Sequence, residues 1–538
     1  MATANRNTLL FIVFIAVVVF LEGSVPYWCA EHFAPKGYTF SGQIMYAPDQ
    51  NMYFSFISQA ADGAFLLRNK LTAVPHEPVF LNLEYWLIGF LQRASGLSQN
   101  NIYHVWRLFG VVLLAVGFSM LAHMVLQSQR RRRVAVATFF LTGGFGFIFA
   151  ILDAFHLLSF NTMQWGIIDM RFGMLPLQQI ITNPHFSFPH GLILIAYAFF
   201  LKGERSGLMK YYLYSGLFFN IIGLVRPYDI IPPIVIFPIY ALAVNGGWRV
   251  DVKQWLIRML PLIMIVPVFL YNVWLFSLHP VFKYWASQGH NSGSLPSIHW
   301  HYMVYGVVGL LAIYRLFQNV GRPLGRTGRF MILWFGVTFA FIQLGKVVPA
   351  LGWSPQIGVY LAAPLTLAAC SIQFTGFAAS WSFRRLILPA VAVVILVSNL
   401  AVVAYHCRKF VTQTNSLGFY TSISNLEAMQ WLQQYDRSGS VVLADVPSSQ
   451  HIARYSSHSV VAAHYSVTPR FEQRATIAAL LLADTMITTG RLALPDSLGV
   501  SYLFLKNDTL AHPSTATHVE EVYRNQEVTI YKVNQVGQ

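Results

Sequence analysis

The sequence predicts an α-helical polytopic membrane protein that carries a soluble α/β domain at its C-terminal end. Three observations lead there. Hydrophobic residues make up 55% of the 538 positions and charged residues only 11%, whereas a soluble domain carries about 25% charge. Apolar stretches of roughly twenty residues recur along the chain, each long enough to cross about 30 Å of hydrocarbon. Beyond residue 405 the hydrophobicity falls, and short alternating strands interleave with amphipathic helices.

The apolar pattern gives about eleven spans, at 8–22, 105–127, 134–152, 187–201, 211–225, 230–244, 255–277, 302–317, 329–345, 357–377 and 386–405. The first follows Arg6 and lacks a small-residue cleavage site, so it reads as an uncleaved span rather than a signal peptide. Pro232, Pro233 and Pro238 predict a broken or kinked segment between 211 and 244.

Charge gives the spans a direction. One set of short connecting loops collects Arg6, Arg130 to Arg133, Lys202, Arg205, Lys210, Arg249, Lys253, Arg258, Arg315, Arg322, Arg326, Arg329, Arg384 and Arg385, against only Glu204 and Asp251. That is the positive-inside pattern. It predicts a cytoplasmic N-terminus and, with an odd number of spans, an extracytoplasmic C-terminal domain, in a multi-pass protein of the plasma (inner) membrane. The net charge of +15 is therefore a topology signal, and no nucleic-acid partner is expected. On the opposite face the loops are long: 23–104, 153–186 and 278–301. Long loops in a compact architecture carry function or structure of their own, so the working face is expected outside.

The domain boundaries follow. Residues 1–405 form the transmembrane domain with its long outer loops, and 406–538 form the α/β domain. Within the latter we expect a helix near 422–435, a strand SVVLADV, a helix opening at Pro447, a strand SVVAAH, a helix over 469–487, and strands VSYLFLK, VEEVYR and EVTIYKV. Some 130 residues suffice for a separate core.

Several chemistries are excluded by missing motifs. There is no GxGxxG or Walker sequence, no HExxH, no Cys/His set with zinc spacing and no Gly-x-Ser-x-Gly. Three cysteines provide no disulfide framework.

The first outer loop carries the most information. Pro48-Asp49 opens an amphipathic stretch, Gln50 to Ala61, suited to a helix on the membrane surface, and Asp62-Gly63 closes it. Tyr53 follows Asp49, and Val74-Pro75-His76-Glu77-Pro78 lies further along. Asp49 reads either as a helix cap or as a carboxylate held at the membrane boundary as base or metal ligand.

This loop, together with the span count and the C-terminal domain, resembles the GT-C superfamily. These are integral membrane glycosyltransferases that use polyprenyl-phosphate-linked sugars, and protein O-mannosyltransferases and aminoarabinose transferases belong to it. In that superfamily the first loop carries the catalytic acid, often as an Asp-Glu pair, and a His-Pro-Pro element. Here Asp49-Gln50 retains the first acid, and His76-Glu77-Pro78 stands in the second place.

The resemblance implies a GT-C-like fold and an inverting, lipid-phosphate-sugar-dependent glycosyl transfer. The partners implied are the bilayer, a polyprenyl-phosphate sugar donor, and a glycan, lipid or protein acceptor of the cell envelope. Asp49 is then the catalytic carboxylate and the one metal ligand, for a divalent cation such as Mg²⁺ or Mn²⁺. Tyr53, His76 and Glu77 would form the first-loop wall, and the second loop offers Asp153, Asp169, Arg171 and His185.

The donor phosphate calls for Arg or Lys at the membrane edge. Arg226, in Val225-Arg226-Pro227-Tyr228-Asp229, and Lys346 sit at outer span ends. The blander alternatives are an Arg226–Asp229 pair that shapes the turn at Pro227, and snorkelling by Lys346. A transporter or lipid-glycan flippase is the competing class. It predicts ionisable residues within the spans, but here polar residues gather at the outer boundary instead.

Overall fold

The computed structural model describes residues 6–148, 152, 155–157, 174–244, 251–288, 298–318, 324–345, 347–348, 351, 354–372, 381–412, 417–483, 498–507 and 519–534. Its contacts divide the chain into two compact units that do not follow chain order. The first comprises residues 1–28, 104–270 and 290–408, and the second residues 29–103, 271–289 and 409–538.

The first unit is helical. Among the described residues, seven helices are long and apolar enough to cross a membrane: Arg6–His32, Gln99–Val125, Pro184–Ser206, Pro227–Val244, Val252–Leu278, Arg326–Leu344 and Pro389–Val411. Val304–Gln318 and Ile357–Cys370 are shorter apolar helices. Two more segments read as spans are shorter helices, Gln129–Leu141 and Met209–Gly223. Each of the eleven expected segments thus contains helix among its described residues, and the proline-rich one begins with a 3₁₀ turn over Pro227–Ile230 and holds Pro238 inside. Helices satisfy every backbone group internally, as hydrocarbon requires.

Small residues set the closest helix approach. A Cβ on Gly117 would lie 2.6 Å from the Gly191 carbonyl oxygen, and one on Gly110 would lie 2.6 Å from Ser187 Oγ. Both contacts join Gln99–Val125 to Pro184–Ser206, the small-residue packing favoured in membranes. A buried polar staple ties further helices together. Glu204 accepts from Arg258 Nε (2.7 Å) and Nη2 (3.2 Å), Tyr212 Oη (2.7 Å) and Tyr240 Oη (3.2 Å). A carboxylate and a guanidinium buried together require this fork-like pairing.

The second unit is α/β. Strand β1 (Tyr38–Phe40) pairs antiparallel with β2 (Tyr420–Ser422). Five further strands, β3 (Val441–Leu443), β4 (Ser459–Val460), β5 (Val500–Lys506), β6 (Val519–Arg524) and β7 (Val528–Val533), form a sheet of order β4-β3-β5-β7-β6. Strands β4, β3 and β5 run parallel, and β5, β7 and β6 antiparallel. Central β5 is apolar almost throughout because neighbours flank it on both sides and both its faces are covered. Its core holds Leu443, Val461, Ala478, Leu503, Leu505 and Tyr531. Asn82, Ser422 and Asp445 cap helices Leu83–Ser95, Ile423–Tyr435 and Val446–Tyr455 through backbone N–H groups of Tyr85, Asn425 and Ser448.

Two expectations change. The helix Ala47–Ala61 is packed against Leu83–Ser95 and Val446–Tyr455, with Gln50, Asn51, Met52, Phe54, Ser55, Phe56, Ile57 and Ala60 buried. Much of its surface is covered by protein. Gly89 permits this contact, since a Cβ there would meet Ala60 Cβ at 2.6 Å. The strand expected over SVVAAH ends at Val460. Residues beyond it are drawn onto the first loop: Val460 N–H donates to Lys70 O (3.0 Å), and Thr72 bridges antiparallel to Ala462.

Candidate functional site

The site is built on the start of helix Ala47–Ala61. Tyr46 occupies the N-cap in the left-handed region (φ 50°) without a side-chain cap bond, and a proline fills the first turn. Asp49 is therefore not the cap, and its carboxylate sits in the first turn at the positive helix end. Oδ1 lies 2.8 Å from His464 Nε2. The Asp49 side chain is 33% exposed and that of His464 0%.

The proton on that bond can be assigned. The backbone N–H of Ser466 points at His464 Nδ1 (3.1 Å). An amide N–H only donates, so Nδ1 is an acceptor and the neutral ring carries its proton on Nε2. His464 thus donates to Asp49, and Ser466 Oγ adds a second contact to Nδ1 at 2.9 Å.

The loop behind His464 is tightly bound. Thr468 Oγ1 accepts from the N–H groups of Ala463 (3.3 Å) and His464 (3.2 Å) and donates to Leu71 O (2.6 Å). Asn69 Nδ2 donates to Val467 O (2.8 Å). Exposed Tyr465 stacks on the His464 ring, centroids 4.8 Å apart. Burial and the nearby Asp49 charge both push its hydroxyl above the usual phenol pKa.

A second tie holds the same helix. Arg454 is 1% exposed and donates from Nε to Gln99 Oε1 (2.9 Å), from Nη1 to Asn51 Oδ1 (3.1 Å) and from Nη2 to Asn100 Oδ1 (2.8 Å). Its guanidinium lies 3.9 Å from the Phe54 ring centroid. No carboxylate pairs with it among the described residues, and burial lowers its pKa. Lys70 is also buried, donating to Ser456 O at 2.6 Å. Burial pushes its ammonium down to about 8, partly offset by Asp62.

The other expected residues fall as follows. Tyr53, one turn on from Asp49, stacks on Tyr85 at 5.4 Å. His76 uses both ring nitrogens within its own loop: Nδ1 donates to Val74 O (2.7 Å) and Nε2 accepts from Asn69 N–H (3.0 Å). Burial lowers its pKa. Glu77 is exposed. In the first unit, His185 begins helix Pro184–Ser206, its N–H capped by Asn183 Oδ1 at 2.9 Å. Arg226 is fully buried with Asp229, Nε to Oδ2 at 3.4 Å. Nε also donates to Tyr228 Oη (2.9 Å) and Nη1 to Tyr360 Oη (3.4 Å). Asp153, Asp169, Arg171 and Lys346 lie outside the described residues.

Sequence reasoning missed His464, Tyr465 and Arg454. A single histidine far along the chain from its carboxylate has no spacing signature. Among the described residues no cluster of three metal-ligating side chains occurs. With Nε2 protonated, His464 offers a divalent cation no lone pair, so of this pair only Asp49 could ligate one.

No protein-family model matches the sequence, and no curated protein matches it. Solved structures do. ArnT from Cupriavidus metallidurans bound to undecaprenyl phosphate aligns with a TM-score of 0.57 at 12% identity, over 98% of both chains. The archaeal oligosaccharyltransferase AglB from Archaeoglobus fulgidus, in complex with an inhibitory peptide and a dolichol-phosphate, aligns at 0.54 and 11%, over 92% of this chain and 69% of that one. The Archaeoglobus enzyme was also solved with Zn and sulfate, aligning at 0.53 and 12% over 91% of this chain and 68% of that one. The mycobacterial arabinofuranosyltransferase AftD aligns at 0.54 and 14%, over 99% of this chain but 40% of its own length. Likeness at such low identity establishes architecture, and with the apolar helices it makes this chain a multi-pass membrane protein of the GT-C fold.

Proposed function

We propose that the protein is an inverting glycosyltransferase that moves a sugar from a polyprenyl-phosphate donor to an acceptor hydroxyl on the extracytoplasmic side. The observation that carries this reading is Asp49. In a GT-C fold, it is a partly exposed carboxylate with one oxygen held by a buried donor and the other open to a substrate. Oδ2 takes the proton of the acceptor hydroxyl as its oxygen attacks the anomeric carbon. The bond from that carbon to the donor phosphate breaks, and polyprenyl phosphate leaves with the electron pair. One displacement inverts the centre. General-base assistance of this kind contributes about 10²- to 10⁴-fold.

Exposed Tyr465, beside Asp49 through His464, offers a ring face on which a sugar can stack. For the donor phosphate, Arg226 serves by exchanging Asp229 for the phosphate, a trade its planar fork suits. The N-terminus is cytoplasmic, following the arginine-rich loops, and the unit that bears Asp49 is extracytoplasmic. The likeness to solved transferases supports this reading over a transporter.

The test is transfer by the purified protein from a panel of labelled polyprenyl-phosphate sugars to envelope glycan, lipid and peptide acceptors, with and without Mg²⁺ or Mn²⁺. Lipid-phosphate release coupled to product formation is expected for one donor. No transfer from any donor would sink the reading.

A further inference from the structure

We propose that His464 is a positioning residue for Asp49: it fixes the catalytic carboxylate from a distant part of the chain as a constant hydrogen-bond donor, and it does not relay protons. The inference rests on the transferase reading above. The contact spans 415 residues of sequence, and both ends of the imidazole are determined.

Nε2 faces Asp49 Oδ1 at 2.8 Å, and Nδ1 is closed by the Ser466 N–H at 3.1 Å and Ser466 Oγ at 2.9 Å. A relay would need Nδ1 to take up or pass on a proton. The amide hydrogen already pointing at it forbids that without breaking the loop turn, which Thr468 Oγ1 clamps through the N–H groups of Ala463 and His464. His464 is therefore a one-directional donor.

Three consequences follow. With Oδ1 held, the acceptor's proton goes to Oδ2. The carboxylate plane is fixed, so Oδ2 keeps one direction throughout the reaction. After transfer the proton on Oδ2 leaves to solvent or substrate through the exposed side of Asp49, since no path leads through the buried ring. Misplacing a reacting group by about 1 Å costs on the order of 100-fold in rate, which is the scale of effect a lost positioning bond should have.

The experiment compares His464→Gln with His464→Leu in transfer assays at saturating donor. The Gln amide places an N–H close to the Nε2 position, whereas Leu supplies none. We expect kcat within a few-fold of wild type for Gln and a loss of about 10- to 100-fold for Leu, with donor KM unchanged for both and a lower unfolding temperature for Leu, which strands the Ser466 N–H. Wild-type kcat in a folded Leu variant would overturn the proposal, as would equal losses in Gln and Leu. Should the Leu variant not fold, ¹⁵N NMR of His464 in the wild-type protein decides: an unprotonated Nδ1 and a protonated Nε2 are expected, and the opposite tautomer refutes the assignment. The NMR result stands apart from activity. An inactive wild type with the expected tautomer would count against the transferase reading and leave the positioning geometry intact.

Discussion

Asp49→Asn separates the chemistry of the site from its architecture. The substitution preserves shape, and the amide oxygen still accepts from His464 Nε2, so no buried donor is stranded. At 33% exposure, the lost charge has water at hand, and stability should change by about 0.5 kcal/mol or less, as for a surface substitution. The amide cannot take a proton, however. Loss of a general base costs about 10²- to 10⁴-fold, or roughly 3–5 kcal/mol of transition-state stabilisation. Asp49→Ala should lose the same activity and in addition leave His464 Nε2 buried without an acceptor, costing about 1–3 kcal/mol of stability. The assay is labelled-sugar transfer at saturating donor, run beside thermal unfolding of each variant in the same detergent. Undiminished transfer by Asp49→Asn would remove Asp49 from catalysis. Equal stability of the Asn and Ala variants would refute the hydrogen-bond argument.

Other perturbations follow from the same geometry. Arg454→Met removes the donor of the Gln99 and Asn100 side-chain oxygens and one of the two donors to Asn51 Oδ1, and should lower stability by about 2 kcal/mol. Arg454→Lys should restore only part of it, because an ammonium cannot span three acceptors in a plane; thermal unfolding reads both. Lys70 is held at about 8 when folded and returns to its usual 10.5 when unfolded. The unfolded chain therefore binds more protons between those values, and stability should rise with pH across that window, by up to about 3 kcal/mol. Lys70→Met should flatten that rise in unfolding curves taken from pH 7 to 11. Arg226→Ala leaves Asp229 buried alone and should cost about 3–5 kcal/mol, whereas Arg226→Met with Asp229→Leu should regain most of it. If Arg226 receives the donor phosphate, the stable double variant stays inactive in transfer; activity in it would make the pair purely structural.

The spans and strands were legible because their signals are local. Twenty apolar residues must be helical in hydrocarbon, and VSYLFLK forms β5 over the whole stretch Val500–Lys506. Asp49 was legible because a loop acid beside a proline-started helix is a local pattern too. The two-unit division was not, because hydropathy reads the chain in order, while contacts join 29–103 to 271–289 and 409–538. The end of β4 at Val460 was equally hidden. SVVAAH is a short apolar run with β-branched residues that would suit a longer strand, yet Lys70 and Thr72 of the first loop compete for its backbone. His464 fails for the same reason: its role depends on a turn made by Ser466 and Thr468 and on a carboxylate the local sequence does not mention. His76 shows the converse, since a motif histidine drew notice but has both nitrogens engaged by Val74 and Asn69.

The sequence separation of 415 between Asp49 and His464 also sets a schedule for biosynthesis. At roughly 5–20 residues per second, the carboxylate leaves the ribosome some tens of seconds before the imidazole that holds it exists. During that interval the nascent chain threads its spans into the bilayer among the very lipids the finished protein is proposed to use. On the proposed function an unheld Asp49 is the weaker base, so the ordering of the site would also act as a delay: full sugar transfer would wait until the late-made residues around His464 hold the early-made carboxylate.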